Sequence, residues 1–369
     1  MLIWEIYSIL SSIYFLVSLL IVIGNQIRIK RTSNRYTVSI IVAARNEEDN
    51  IAECLYSLFA QDYPREFLEI IVVNDRSEDE TEGIVSELID DKPYCKLFSV
   101  DKPIDGLTGK ESALTLGINA SSSEIILLTD ADCILPPSWV SSMVSCFSNP
   151  VGMVAGFSIP KCNDSFSCIQ AVDHLFLIGV ASGFAGLGIP QSCIGNNLAF
   201  RRDAYNNIGG YEAVGYTITE DVGLLQKIRA KSDYRIVFNR GKDALVKTYA
   251  AGNFSEFKKQ RMRWLVGGME VSAVMLFSLI LTFGTIFLST AALISVLSFN
   301  FNLSPIIALG LFLLSNLMII LSNKHLFDIG KILKWFIPHQ LFFILYSLIL
   351  GFFFLIGKRD ILWKGRDYS

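Results

Sequence analysis

The sequence predicts an α/β domain on a mainly parallel sheet, carried between membrane-spanning helices at its two ends. Three observations lead there. The chain mixes 51% hydrophobic with 18% charged residues over 369 positions, and its mean hydropathy is +0.44. A soluble domain is less apolar and a bundle of membrane helices less charged, so the two characters must be segregated. Uncharged apolar runs do lie towards both ends, and between them short β-branched runs alternate with helical patterns. The length suits one soluble domain plus membrane segments.

The run Ile6 to Ile23 carries no charge and matches the roughly 20 residues that one bilayer crossing needs. No basic stretch precedes it and no small-residue cleavage site follows, so residues 1–24 read as a membrane helix and not a signal peptide. Arg28, Lys30, Arg31 and Arg35 come next. The excess of basic residues on cytoplasmic flanks places the following domain, 37–268, in the cytoplasm of a multi-pass cell-membrane protein. Within it Val38–Ala43, Glu69–Val73, Glu124–Thr129 and Met153–Phe157 are apolar nearly throughout, as strands covered on both faces are. Their alternation with helices implies parallel pairing.

Residues 269–357 hold three further apolar segments, Val271–Phe299, Ile306–Ser322 and Phe336–Gly357. The uncharged connector Asn300–Pro305 suits the outer side, and Lys324, Lys331 and Lys334 suit the cytoplasm. Three crossings then leave the tail outside. Yet the basic tail, 358–369, carries Lys358, Arg359, Lys364 and Arg366, which favour the inside. Either the first segment is in part an interfacial helix or hairpin, or the last does not cross fully.

A net charge of −3 gives no basis for nucleic-acid binding. Seven cysteines (Cys54, Cys95, Cys133, Cys146, Cys162, Cys168, Cys193) all fall within 37–268, are odd in number and include no C-x-x-C pair. Neither a zinc site nor a disulfide framework is expected, and the setting is a reducing one. His174, His325 and His339 stand singly and read as structural.

Five motifs carry chemistry. The run Val38–Ala43 stops at Ala44-Arg45-Asn46-Glu47-Glu48; ligands of α/β sheets sit beyond the carboxyl ends of such strands. Small Ala43 and Ala44 admit a flat ligand, and Glu47 can accept bonds from a base or ribose; an ordinary strand–helix turn has the same letters. The run to Val73 ends in Asn74-Asp75-Arg76-Ser77. Asp75 could accept a ring N–H of uracil, while Ser77 with Glu80 reads as a capping box. Asp130-Ala131-Asp132 follows a third apolar run. Two carboxylates so close repel unless a cation offsets them, and hard oxygen ligands suit Mg²⁺ or Mn²⁺. Thr219-Glu220-Asp221 opens a helix; Asp221 there is either a general base for a hydroxyl or a capped acidic first turn. Gln260-Arg261-Met262-Arg263-Trp264 offers arginines for a diphosphate and a Trp that stacks on a sugar or anchors at a membrane interface.

In this order, from about Val38 to Trp264, the five resemble the family 2 glycosyltransferases. Ser57-Leu58-Phe59-Ala60-Gln61-Asp62-Tyr63-Pro64 looks like the family's S-L-x-x-Q-x-Y-P turn, and Gly109-Lys110 with Ala113-Leu114 like its G-K-x-x-A-L segment. The T-E-D and Q-x-x-R-W pair resembles the branch of cellulose, chitin and hyaluronan synthases, a related form of which occurs in ceramide and carotenoid glucosyltransferases. The tail Trp363-Lys364-Gly365-Arg366-Asp367-Tyr368 looks like the lipid-acceptor side. The resemblance implies a GT-A fold and an inverting mechanism. By it Ala44, Glu47, Asp75 and Lys110 contact the nucleotide, and Asp130 and Asp132 hold the diphosphate and the metal. Asp221 is the base, and Gln260, Arg261, Arg263 and Trp264 close over the diphosphate and acceptor.

The expectation is a UDP-sugar transferase, with glucose as the sugar and a single transfer to a lipid-like acceptor at the cytoplasmic membrane face, because the spans are few for a polymer channel. Two alternatives remain. One is a processive polysaccharide synthase of the cellulose, chitin or poly-N-acetylglucosamine type; the other is a non-catalytic membrane scaffold, against which the intact motifs argue.

Overall fold

The computed structural model describes residues 2–107, 109–215, 217–269, 273–298, 303–357, 362–363 and 366–367. The first elements are α1 (Leu2–Gln26), β1 (Val38–Ala44), α2 (Ile51–Phe59), β2 (Leu68–Asn74), α3 (Thr81–Ile89), β3 (Cys95–Ser99), α4 (Gly109–Ala120) and β4 (Ile125–Asp130). There follow α5 (Trp139–Val144), β5 (Val151–Ala155), β6 (Ser158–Pro160), α6 (Ser165–Gly186), β7 (Leu198–Arg201), α7 (Arg202–Asn207), α8 (Gly210–Val214) and α9 (Glu220–Lys231). The last are β8 (Arg235–Phe238), β9 (Val246–Thr248), α10 (Phe254–Met269), α11 (Ala273–Leu297), α12 (Leu303–Ser322) and α13 (Ile329–Leu355). They form two compact units, one of residues 28–161 and 192–249, the other of 1–27, 162–191 and 250–369.

The first unit is built on a seven-stranded sheet ordered β3-β2-β1-β4-β7-β5-β8. β1 pairs in parallel with β2 and β4, β2 with β3, and β5 with β8. Only β7 is reversed, against β4 and β5. This is the mainly parallel α/β sheet that the apolar runs imply. Val38, Ile40 and Val42 pack in one core with Leu55 and Leu58 of α2 and Trp139 and Met143 of α5. On the other face α4 comes so close that a methyl group on Gly117 would meet the Ile41 and Val73 side chains. Burial on both faces is why these strands have no polar alternation. β5 starts two residues before the expected run because Val151 already pairs with Arg235.

The capping box expected at Ser77 and Glu80 is not formed. α3 begins a turn later, and Asp79 accepts the Thr81 N–H at 3.1 Å. Ser77 and the Glu80 N–H instead bond across to the loop after β1, with the Asn46 N–H at 3.1 Å and with Glu48 at 3.0 Å.

In the second unit α1, α11 and α12 overlap the expected apolar runs, while α13 begins at Ile329, seven residues before Phe336, and so takes in Lys331 and Lys334, which were expected in the connector. Among the described residues a fifth helix, α6, is also long and apolar enough to cross a membrane, but β5 before it and β7 after it pair in one sheet, so α6 does not make a single crossing. The domain expected to run unbroken over 37–268 is therefore interrupted at 162–191, and 250–268 also belongs with the helices. Gln170, Asp173 and His174, all buried, break the apolar run of α6. A second correction concerns the cysteines. Cys162 and Cys168 are disulfide-bonded, with Cα atoms 4.4 Å apart, where no disulfide was expected. Asp164 caps α6, accepting the Ser167 N–H at 2.9 Å, and the turn carries Cys162 onto the helix's first turn. Cys54, Cys95, Cys133, Cys146 and Cys193 are free. Of the basic tail and its Trp363–Tyr368 motif, Lys358, Arg359, Lys364, Gly365 and Tyr368 lie outside the described residues, as do Val271, Phe299 and residues 300–302 of the neighbouring connector.

α1 crosses α6 at glycines. A Cβ on Gly183 would strike the backbone of Ile21, and one on Gly186 or Gly24 the backbone of the facing helix. Small residues at such crossings let helix backbones approach in lipid. Gly183→Leu is expected to lower stability by about 1–3 kcal/mol or more, the range for overpacking, read as a lower unfolding midpoint in detergent. An unchanged midpoint would show that the two helices do not touch there.

Candidate active site

The carboxyl ends of β1, β2 and β4 lie side by side, with Ala44 in register with Asn74 and Ala43 with Asp130. The loops leaving β1 and β2 are laced together. The Asp75 N–H donates to the Ala44 carbonyl at 2.8 Å, the Glu78 N–H to Asn46 Oδ1 at 2.9 Å, and the Glu47 N–H to Thr81 Oγ1 at 2.8 Å. Asn46 and Arg76 both have left-handed backbone, φ 51° and 57°. Asn tolerates this region; Arg does not favour it, and strain of this kind collects at functional loops. Ala44, Glu47 and Asp75 are all buried here. Glu47 accepts from Asn50 Nδ2 at 2.9 Å, and Arg76 Nη2 donates to Asp75 Oδ1 at 2.9 Å. Asp75→Ala is expected to weaken UDP binding while ADP binds poorly to either form; calorimetric titration giving equal binding of ADP and UDP to the unmodified protein would remove the base-recognition role.

A second cluster centres on Lys110, at the start of α4. Its ammonium is paired with Asp130 and lies 3.2 Å from Glu220 Oε1. Burial alone would lower its pKa, but the charges of Asp130, Glu220 and Asp221 outweigh it and push the pKa well above the usual lysine value. The lysine thus joins Asp130, at the end of β4, to the first turn of α9. There Thr219 makes no side-chain capping bond. Asp221 Oδ1 accepts the Val222 N–H at 2.8 Å, and Asp221 packs on the segment before β7: a Cβ on Gly195 would lie 3.2 Å from Oδ2. Cys193 Sγ donates to the Asp221 carbonyl at 3.4 Å. Its thiol is raised well above the usual value, by burial first and then by the Asp221 and Glu220 charges, so it is a neutral neighbour. Asp132 has looser contacts, Thr248 Oγ1 at 3.4 Å and Cys133 Sγ at 3.5 Å.

Glu220, a member of the Thr219–Asp221 motif with no role expected of it, joins the site through Lys110, and the 192–197 segment is marked by none of the five motifs. Thr129 Oγ1 donates to the Asn196 carbonyl at 3.1 Å, and Asn197 Oδ1 accepts from Trp139 Nε1 at 2.9 Å. The only signal in the sequence is Gly195-Asn196-Asn197 before an apolar strand. Among the described residues no group of three His, Cys, Asp or Glu side chains could hold a metal ion. Asp130 and Asp132 nevertheless fit Mg²⁺ or Mn²⁺, because such ions bind through one or two carboxylates and take their remaining ligands from substrate phosphates and water.

Gln260, Arg261, Arg263 and Trp264 lie on α10, in the helical unit. Arg261, expected on a diphosphate, is 3% exposed, with its guanidinium bonded to Asp173 Oδ2 through Nε at 3.0 Å and Nη2 at 2.7 Å.

Two family models match the chain: "Glycosyl transferase family 2" over residues 39–209 and "Glycosyl transferase family group 2" over residues 125–355. The chain is similar to a poly-β-1,6-N-acetyl-D-glucosamine synthase of Staphylococcus epidermidis, 29% identical over 240 residues, which is 63% of this chain and 55% of the relative. The synthase of Staphylococcus aureus strain MSSA476 is 26% identical over 238 residues, with the same coverages. The chain thus spans little more than half the length of these relatives. Among solved structures, the mannosyltransferase PcManGT from Pyrobaculum calidifontis, in complex with GDP-Man and Mn²⁺, superposes with a TM-score of 0.63 at 20% identity, over 96% of this chain and 99% of that one. That likeness establishes the GT-A fold.

Proposed function

We propose that this chain, which belongs to the family 2 glycosyltransferases, transfers N-acetylglucosamine from its UDP donor to a saccharide acceptor, with inversion, at the cytoplasmic membrane face. The observation that carries the mechanism is the pairing of Lys110 with both Asp130 and Glu220, which ties the donor-side carboxylates to the first turn of α9. Asp221 takes the proton from the acceptor hydroxyl as its oxygen attacks the anomeric carbon; the bond to UDP breaks on the opposite side. Lys110 supplies positive charge beside the departing diphosphate. Asp130 and Asp132 would hold Mg²⁺ or Mn²⁺, which when bound neutralises charge developing on the leaving group. Ala44, Glu47 and Asp75 seat the nucleotide. Of the Gln260–Trp264 motif, Arg263 is assigned to the diphosphate, because Arg261 is bonded to Asp173.

N-acetylglucosamine and a polymer are favoured over glucose and a lipid-like acceptor because the similar proteins are named as poly-β-1,6-N-acetyl-D-glucosamine synthases. The cytoplasmic placement rests on Arg28, Lys30, Arg31 and Arg35 after α1.

The test is mass spectrometry of saccharides and lipids made by the full chain in lipid nanodiscs with a panel of UDP-sugars. Oligosaccharide from UDP-N-acetylglucosamine is expected. A glucosylated lipid from UDP-glucose would return the reading to a single transfer, and absence of transfer from every donor would point to a scaffold.

A further inference from the structure

We propose that Asp173, midway along α6, is a positioning residue for the transfer: it holds Arg261, and through Arg261 the Gln260 and Trp264 side chains of α10. The inference rests on the transferase reading above.

Asp173 is fully buried, and both its oxygens are occupied. Oδ2 takes the two Arg261 bonds; Oδ1 accepts from Tyr346 OH at 2.9 Å and lies 3.1 Å from His339 Nε2. Arg261 also lies over the Phe257 ring, 4.5 Å from its centre, and makes contacts within its own motif. Nη1 donates to Gln260 Oε1 at 2.7 Å, and the guanidinium lies 4.2 Å from the centre of the Trp264 ring. His174, next to Asp173, packs edge-on against the same ring at 5.4 Å. The anchor is itself braced. His339 Nδ1 lies 3.0 Å from Gln340 Nε2, Gln340 Oε1 accepts from Asn316 at 2.7 Å, and Asn316 Oδ1 accepts from Tyr14 OH at 2.7 Å. One run of hydrogen bonds therefore passes from α10 through α6, α13 and α12 to α1.

Packing alone does not require this. A buried ion pair can often be replaced by apolar residues of similar volume without loss of stability, whereas removing one partner is strongly destabilising. What the pair adds is geometry: the planar fork fixes one rotamer of Arg261, and both ends of the motif rest on it. With its donors turned to Asp173 and Gln260, Arg261 is a support and not a diphosphate ligand.

The full chain in lipid nanodiscs provides the test, with the double variant Asp173→Leu/Arg261→Met and the single variant Arg261→Lys. Three quantities are read: the unfolding midpoint, hydrogen exchange over residues 254–269, and kcat with donor KM for whichever UDP-sugar the parent uses. The double variant, which also takes the Asp173 acceptor from the buried Tyr346 hydroxyl and His339 Nε2, is expected to have a lowered midpoint but to stay folded, with a donor KM within about twofold. Its α10 amides should exchange faster, and kcat should fall about tenfold or more, as small misplacements of reacting groups do. Parent kcat in a folded double variant would overturn the proposal and leave the pair as packing. If the double variant does not fold, Arg261→Lys decides by the same criteria, since it keeps the charge and loses the fork. A parent inactive on every donor defeats the transferase reading instead. Exchange over α10 then decides this one, and rates unchanged in Arg261→Lys would overturn it.

Discussion

Asp221→Asn is expected to lower transfer at least roughly a hundredfold, the lower end of what general-base help contributes, with UDP affinity and unfolding midpoint near those of the parent. Asn keeps an oxygen that can accept the Val222 N–H, but it carries no charge and cannot take a proton. As a first-turn carboxylate with no other role, Asp221 contributes about 0.3–1 kcal/mol through the helix dipole, far too little to produce that loss of rate. Glu220 is the comparison. The two neighbours turn to different partners, Glu220 to Lys110 and Asp221 towards Gly195. Glu220→Gln should hurt transfer less, but it is not silent, because Lys110 loses one of its two anchors; a raised donor KM is expected. Equal loss of transfer in both variants, or a midpoint that falls in step with activity in Asp221→Asn, would move the base elsewhere.

Asp132→Asn is the second large effect. Asp132 accepts from Thr248 Oγ1 at 3.4 Å and from Cys133 Sγ at 3.5 Å; Asn at this position keeps an oxygen acceptor, so the fold should be little disturbed. A divalent ion is worth several kcal/mol of transition-state charge stabilisation, and each 1.4 kcal/mol is about tenfold in rate; a loss on the order of 10²–10³-fold follows. Activity should be measured against Mn²⁺ and Mg²⁺ concentration and in chelator. Full turnover by the variant in chelator would end the metal role of Asp132.

The central strands were legible in the sequence because a sheet buried on both faces leaves no room for polar residues. β1, β2 and β4 follow their apolar runs, each extended at its carboxyl end by one residue, Ala44, Asn74 and Asp130. The carboxylates at those ends were legible for the same reason, since charge directly after such a run is conspicuous. What escaped is long-range. Asp173 and His174 make α6 look soluble, because their partners Arg261, His339 and Trp264 lie far along the chain. Ser77 and Glu80 spell a cap, but their bonds go to another loop. Glu220 had no assigned role, because nothing local shows that Lys110 reaches it. The Cys162–Cys168 bond is invisible to a count of cysteines or a search for C-x-x-C.

The place of α6 in the chain has a consequence for biosynthesis. β7 is the strand that joins β4 to β5, through pairs such as Leu128 with Leu198 and Ala155 with Leu198, and it is translated only after α6. A nascent chain therefore holds β1 to β5 with no bridge between β4 and β5 while an apolar helix leaves the ribosome. Long-range strand pairing of this kind is slow and leaves edges open to aggregation. Packing of α6 against the other apolar helices and closure of the sheet become successive steps on one chain, so a defect in the folding of α6 should surface as a misfolded sheet.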